Sequence, residues 1–390
     1  MRHFSGNYDV IIVGGGIIGL SSAYALIGQG MKVLLLESST PGHKRGSSHG
    51  DSRMIRFDYE EPLYVEMAAL AFKAWHDLGK RIGRPVFKET GICNLAPRNS
   101  DILTTIRDRL SDYELPFEQL TSQSFNQRFP QYTLPQTSEA IYQPDSAVLF
   151  ADEAIFSLCK CIKEDGVDVE LKTKVTSIEL GSRNVEVGVT DGRYWSGGHL
   201  ILAAGAWTSD WLEQFGLDIP LQVTRELVAY FAPMSSVRHE VGSMPNCIDY
   251  HTPDPFYCVP NVGFNGVKAG CHRTGQIIRP DDPELISHEH LVAVQNFISK
   301  RCVHLSRDPV SVDHCLYTNS VDYHFIIDLL PDYENVVLAA GFSGHGFKFG
   351  PVLGKILVGM LLKKHLELDT TLFALKRFDD KENLKARTIA

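Results

Sequence analysis

Residues 8–37 present a strand, a glycine turn, a helix and a second strand, an order that few folds can accommodate. "YDVIIV" (8–13) carries a β-branched run that leads straight into Gly14-Gly15-Gly16-Ile17-Ile18-Gly19. "LSSAYALIGQG" then reads as a helix stopped by Gly30, and "KVLLLE" (32–37) as a strand ending on Glu37. This is G-x-G-x-x-G in the context that a dinucleotide site requires. Gly14 permits the tight turn, Gly16 lets backbone reach a pyrophosphate, and Gly19 lets helix and strand pack closely. The free N–H groups at the helix start favour the phosphates. Glu37 can accept hydrogen bonds from a ribose, and its charge opposes a 2′-phosphate, which leaves FAD and NAD both open.

Two later segments end as the first strand does. "LILAAGA" (200–206) and "VVLAAGF" (336–342) are apolar runs closing on Ala-Ala-Gly. Three strands that each stop at a glycine predict one parallel sheet built from three separated stretches. A flavin dinucleotide makes better use of the distant C-terminal strand than NAD does. Between them lie a helix around Val65–Ile82, strand-like "GICNLAP", a helix ending at Glu164, a hairpin signal at Asp191-Gly192 and alternating short strands over about 221–315. The predicted fold is α/β: a discontinuous Rossmann-like dinucleotide domain (1–85, 149–220 and 316–390) with an inserted α+β substrate domain on a mostly antiparallel sheet (86–148 and 221–315). A chain of 390 residues is long enough for two such cores.

The net charge of −9 argues against a nucleic-acid footprint. No apolar run is long enough to cross a membrane, and polar Asn7-Tyr8-Asp9 interrupts the basic start, so neither a membrane helix nor a signal peptide is expected. Eight cysteines without disulfide-framework spacing read as reduced thiols. A soluble, cytoplasmic, metal-free protein is the expectation.

"GFSGHGFKFG" (341–350) sets His345 and Lys348 in a glycine-rich turn, where backbone can approach a charged ligand closely. "NGVKAGCH" (265–272) reads as a strand with Lys268, Gly270 and His272 on one face. Taken alone, Lys268 fits an exposed strand lysine as well as a pocket cation, and His272 fits a structural histidine as well as a pocket one.

"GSSHGDSRMIR" (46–56), "CLYTN" (315–319), "FIIDLLP" (325–331) and "AAGFSGHGFKF" (339–349) together resemble the monomeric sarcosine oxidase family, which includes N-methyltryptophan, pipecolate and fructosyl amino acid oxidases. The resemblance spans nearly the whole chain. It implies FAD, oxidation of an N-methyl or cyclic secondary amino acid to an imine, reduction of O2 to hydrogen peroxide, and a monomer. It further implies flavin contacts from Ser47, His49, the backbone of Val175, Gly344 and Lys348, with the flavin joined through sulfur to Cys315, while His345 fits a packed, hydrogen-bonded loop residue as readily as a flavin contact. Arg56 and Lys348 match carboxylate-binding positions, and Tyr257, Tyr317 and His272 match pocket walls. Lys268 matches the oxygen-activating lysine and Arg53 a cation beside the flavin ring. A dehydrogenase using another acceptor, or an enzyme for pipecolate or fructosyl amino acids, is the alternative. Asp58, Glu60 and Glu61 depart from the family pattern and are read as a solvated face, or else as a preference for a cationic substrate tail.

Overall fold

The computed structural model describes residues 4–263 and 266–379, so Asn265 of the "NGVKAGCH" stretch and the chain's last residues lie outside it. By its contacts the chain divides into two compact units, the first made of Met1–Gly50, Asp152–Val223 and Leu316–Ala390, the second of Asp51–Ala151 and Thr224–Cys315.

The first unit is built on the predicted parallel sheet. Strand Phe4–Val13 lies between Val33–Leu36 and Tyr194–Leu202, parallel to both, and Tyr333–Ala340 runs parallel to the far end of Tyr194–Leu202. Asp168–Glu170 continues the sheet beyond Val33–Leu36. Over residues 10–13, 33–36, 200–202 and 336–340 the strands are buried on both faces, which is why they read as unbroken apolar runs rather than alternating ones. The Asp191-Gly192 signal is realised as a hairpin between Val185–Val189 and Tyr194–Leu202. Helix Ile17–Leu26 packs against helix Gly350–Leu361 through glycine: a Cβ on Gly354 would lie 2.4 Å from the Ser21 carbonyl oxygen. Near the chain's end, Arg377 pairs with the enclosed Asp322 carboxylate at 2.9 Å and ties the last described helical turn to the turn between strands Ser311–Ser320 and Ile326–Leu330.

The second unit carries the mostly antiparallel sheet. Its strands include Leu221–Phe231, Val267–Cys271, Phe256–Val259, Asn246–Asp249, Ile92–Pro97 and Ser138–Gln143 in that spatial order, with one parallel pair, Asn246–Asp249 beside Ile92–Pro97. One face builds a core from Leu227, Ala229, Phe231, Val267, Ala269 and Cys258, closed by helix His288–Arg301 through Val294, Phe297 and Ile298. Residues 51–85, expected with the nucleotide unit, group here instead. Strand Ser52–Ile55 pairs with Ala147–Phe150, and helix Pro62–Ile82 is fastened to the same small sheet by Phe72, whose ring stacks on Phe57 at 4.9 Å and meets Phe87 edge-on at 5.5 Å. That helix begins with proline in its first turn, where the missing N–H costs nothing.

Candidate flavin and substrate sites

In the first unit the glycine turn is a cradle with no room for side chains. Gly14 has φ +105°, and a Cβ there would sit 2.2 Å from the Ala203 carbonyl oxygen. A Cβ on Gly19 would lie 1.8 Å from the Gly14 carbonyl oxygen, so helix and strand are as close as the motif requires. At Gly16 only the Ser48 hydroxyl stands near, at 3.1 Å, and the same hydroxyl accepts the Ile17 N–H at 3.1 Å. Glu37 is buried at the end of its strand, accepting the Gly15 N–H and the Ser39 N–H, each at 2.7 Å. Burial pushes its pKa upward, but hydrogen bonds from His43, Gly15 and Ser39 prevail and hold it below the usual carboxylate value. The acid therefore stays ionised with lone pairs to spare for ribose hydroxyls. Glycines that a methyl group would fill, an open helix start and a fixed terminal acid fit a dinucleotide.

The other residues of this unit expected at the flavin have local partners. The Ser47 hydroxyl donates to the Leu316 carbonyl at 2.5 Å, and the His49 ring lies 3.1 Å from the Gly46 carbonyl of its own loop. Val175 opens a strand two residues after Thr173, whose N–H donates to the Glu37 carbonyl, which brings that backbone beside the end of the second strand. Gly344 (φ +80°) lies flat against Tyr317: a Cβ would be 2.2 Å from the ring. His345 meets the Tyr323 carbonyl at 3.2 Å and the Phe325 ring at 4.6 Å, so it packs into an aromatic cluster. Lys348 is only 7% exposed, and its Nζ donates to the His345 carbonyl at 2.9 Å.

In the second unit, Leu227, Ala229 and Phe231 point into the core, so Glu226, Val228 and Tyr230 point to the opposite face. Tyr230 is paired with Lys268 and Val228 with Gly270, which puts Lys268 and Gly270 on that face as well. Tyr257, paired with Gly270, covers it: a Cβ on Gly270 would be 2.6 Å from the Tyr257 hydroxyl. Lys268 is 7% exposed and donates to the Ser52 carbonyl at 3.0 Å, with Asp51 at 4.0 Å, so it is no surface lysine. The Tyr230 hydroxyl donates to Asp51 at 3.2 Å. Arg53 donates to the Ser52 carbonyl at 2.8 Å and, with Lys268, acts electrostatically on Cys315. Burial raises the Cys315 thiol to about 11 and outweighs the lowering by Arg53 and Lys268. Burial and then Cys315 raise the Tyr257 hydroxyl. His272 sits just past the strand, half-buried, with its N–H on the Pro255 carbonyl.

Arg56 has company that the sequence reading did not foresee. It donates to the Asp58 backbone carbonyl at 2.6 Å, its guanidinium lies 3.2 Å from the Asp58 carboxylate and it stacks 4.1 Å from the Tyr59 ring centroid. Asp58 is fully enclosed, so the reading of the three acids as a solvated face is wrong for this one; Glu60 is exposed and Glu61 half-buried. Also missed were Asp51, Tyr230 and Glu226. Glu226 and Tyr230 had a signal in the sequence, two polar groups at even spacing inside the apolar strand "LQVTRELVAYF".

The fold and the glycine cradle define a dinucleotide-binding α/β protein with an added, mostly antiparallel sheet. Comparison with known proteins makes the class specific: the model of the FAD dependent oxidoreductase family matches residues 9–360, and the chain belongs to that family. It is 34% identical to monomeric sarcosine oxidase of Bacillus sp. (strain B-0618), covering 99% of this chain and all of that one. It is 32% identical to peroxisomal sarcosine oxidase of Homo sapiens, covering 95% and 96%, and 31% identical to N-methyl-L-tryptophan oxidase of Salmonella arizonae, covering 95% and 99%. Among solved structures, the open form of NikD, an unusual amino acid oxidase, superposes with TM-score 0.84 at 21% identity over 95% of this chain and 98% of that one. L-proline dehydrogenase from P. horikoshii gives 0.84 at 20% over 97% and 99%. These structural likenesses establish the fold.

Proposed function

We propose that the chain oxidises an N-methyl or cyclic secondary amino acid to its imine and reduces O2 to hydrogen peroxide. The substrate loses a hydride from the carbon beside nitrogen and a proton from nitrogen. Bound FAD supplies the acceptor for the two electrons, which O2 finally receives. Gly14, Gly16, Gly19, Glu37, Ser47, His49, Val175, Gly344 and His345 would hold the dinucleotide, and Cys315 would be the residue joined to the flavin through sulfur. Arg56 and Lys348 bind the substrate carboxylate and orient the reacting carbon, the fork of one and the point charge of the other fixing its angle. Tyr257, Tyr317 and His272 wall the pocket and exclude water. Nearby fixed cations lower the bound amine's pKa, which keeps the nitrogen lone pair available as the C–H bond breaks. Lys268 would stabilise the negative charge that O2 gains, and Arg53 would supply a second positive charge to the bound flavin. The protein works as a soluble cytoplasmic monomer.

The observation that most supports this reading is the burial of Lys268 on the face that also presents Tyr257 and Gly270. Peroxide production tests it across sarcosine, N-methylalanine, proline, pipecolate and fructosyl amines. A secondary amino acid is expected to yield peroxide above the rate with primary amino acids. Activity confined to primary amino acids, or none with any amine, would refute the proposal.

A further inference from the structure

Glu226 is a carboxylate in a place where the proposed chemistry gives it no task. It is 2% exposed and lies on the face of the second unit's sheet that presents Lys268 and Tyr257. The Thr224 hydroxyl donates to Oε1 at 2.6 Å and the Gly275 N–H to Oε2 at 2.9 Å. The Thr274 N–H also bonds this carboxylate, and all three donors are neutral. The charged neighbour acting on Glu226 most strongly is another acid, Asp254, on an exposed turn. Glu226 in turn acts on Tyr257 and on Cys315, so its field reaches the residues assigned to the pocket and to the flavin.

A buried carboxylate held by neutral donors is costly, and a cation brought to it recovers much of that cost. Burial already raises its pKa, with the hydrogen bonds from Thr224, Gly275 and Thr274 opposing. Lys268, the lysine of this face, donates to the Ser52 carbonyl with Asp51 at 4.0 Å, and Arg53 of the small sheet donates to the Ser52 carbonyl. The missing charge is one that a ligand can bring.

Building on the amine-oxidase reading above, we propose that Glu226 determines specificity by receiving a cationic nitrogen on the substrate's side chain, so that the preferred substrate is a secondary amino acid with a basic side chain. Arg56, assigned to the substrate carboxylate, is then complemented in the same unit by an anionic residue for the substrate's far end. A neutral aliphatic chain gains nothing from Glu226.

The test compares Nα-methyl-L-lysine with Nα-methyl-L-norleucine, of similar length but differing in the terminal ammonium, in the flavin-loaded enzyme and in Glu226→Gln. The amide oxygen can keep the Gly275 N–H, while its NH2 donates to the Thr224 hydroxyl, which can turn to accept. The wild type should favour the lysine derivative in kcat/KM, and E226Q should lower that preference by about tenfold or more, the size of one charge-assisted contact. An unchanged ratio, or an equal loss on both compounds, overturns the assignment. Should E226Q fail to retain flavin, the wild-type ratio decides: a value at or below one overturns it. If the wild type oxidises sarcosine or N-methylalanine but shows no lysine preference, only the role of Glu226 falls. If no secondary amine reduces the flavin, the amine-oxidase reading falls and this inference with it.

Discussion

Replacing Asp58 with asparagine removes the carboxylate that already faces Arg56. In the folded chain the two charges are 3.2 Å apart, with the Asp58 side chain fully enclosed and that of Arg56 17% exposed. At that distance and an effective dielectric of about 20, their attraction is about 5 kcal/mol. Taking one partner away leaves a mostly buried guanidinium uncompensated, and such losses run to about 3–5 kcal/mol of stability. The same change should improve the receptor. A ligand carboxylate no longer competes with Asp58, and recovering one charge-assisted hydrogen bond of about 1.5–3 kcal/mol corresponds to roughly 10- to 150-fold in Kd. The assay is a titration of acetate, an unreactive carboxylate, followed by the change in the flavin's visible spectrum, alongside thermal melts with and without ligand. Asp58→Asn should melt at a lower temperature, bind acetate at least about tenfold more tightly and regain more stability from it than the wild type. Unchanged or weaker acetate binding would refute the idea that Asp58 holds Arg56 in check.

Lys268→Met should slow reoxidation of the reduced flavin by O2 about 10²–10³-fold, measured by stopped flow, while anaerobic reduction by substrate changes far less; equal slowing of both half-reactions would contradict its assigned role. Cys315→Ser should release all flavin colour on acid precipitation, whereas the unaltered protein should keep it in the pellet. Asp322 is held below the usual carboxylate value because its pairing with Arg377 outweighs burial. Its stabilisation is complete above the ordinary aspartate pKa of about 4 and is lost as pH falls through the lower folded value. Asp322→Asn should therefore cost about 3–5 kcal/mol at neutral pH, and melting temperatures followed from neutral to acid pH should show a flatter acid limb than the wild type.

What was legible in the sequence was local or repeated. Strands at 8–13, 200–204 and 336–340 announced a parallel sheet because burial on both faces leaves an apolar run, and each ended on a glycine. Gly14 and Gly19 were legible because any side chain there would collide with backbone. Residues 51–85 were assigned to the other unit because their partner, strand Ala147–Phe150, lies far away in sequence and leaves no local mark. Asp58 read as solvated because an acid in a polar loop carries no sign of the guanidinium that lets it be buried. The even spacing of Glu226 and Tyr230 was visible, yet which face of a strand meets core and which meets ligand is decided only when Leu227, Ala229 and Phe231 find their core partners.

The most direct measurement mixes the flavin-loaded protein with a secondary amino acid in the absence of oxygen and then admits air. The account predicts that the yellow colour bleaches, that it returns on aeration, and that one peroxide is released for each imine formed. Colour that persists under nitrogen with every secondary amine tried, or bleached enzyme that oxygen fails to restore, would contradict it.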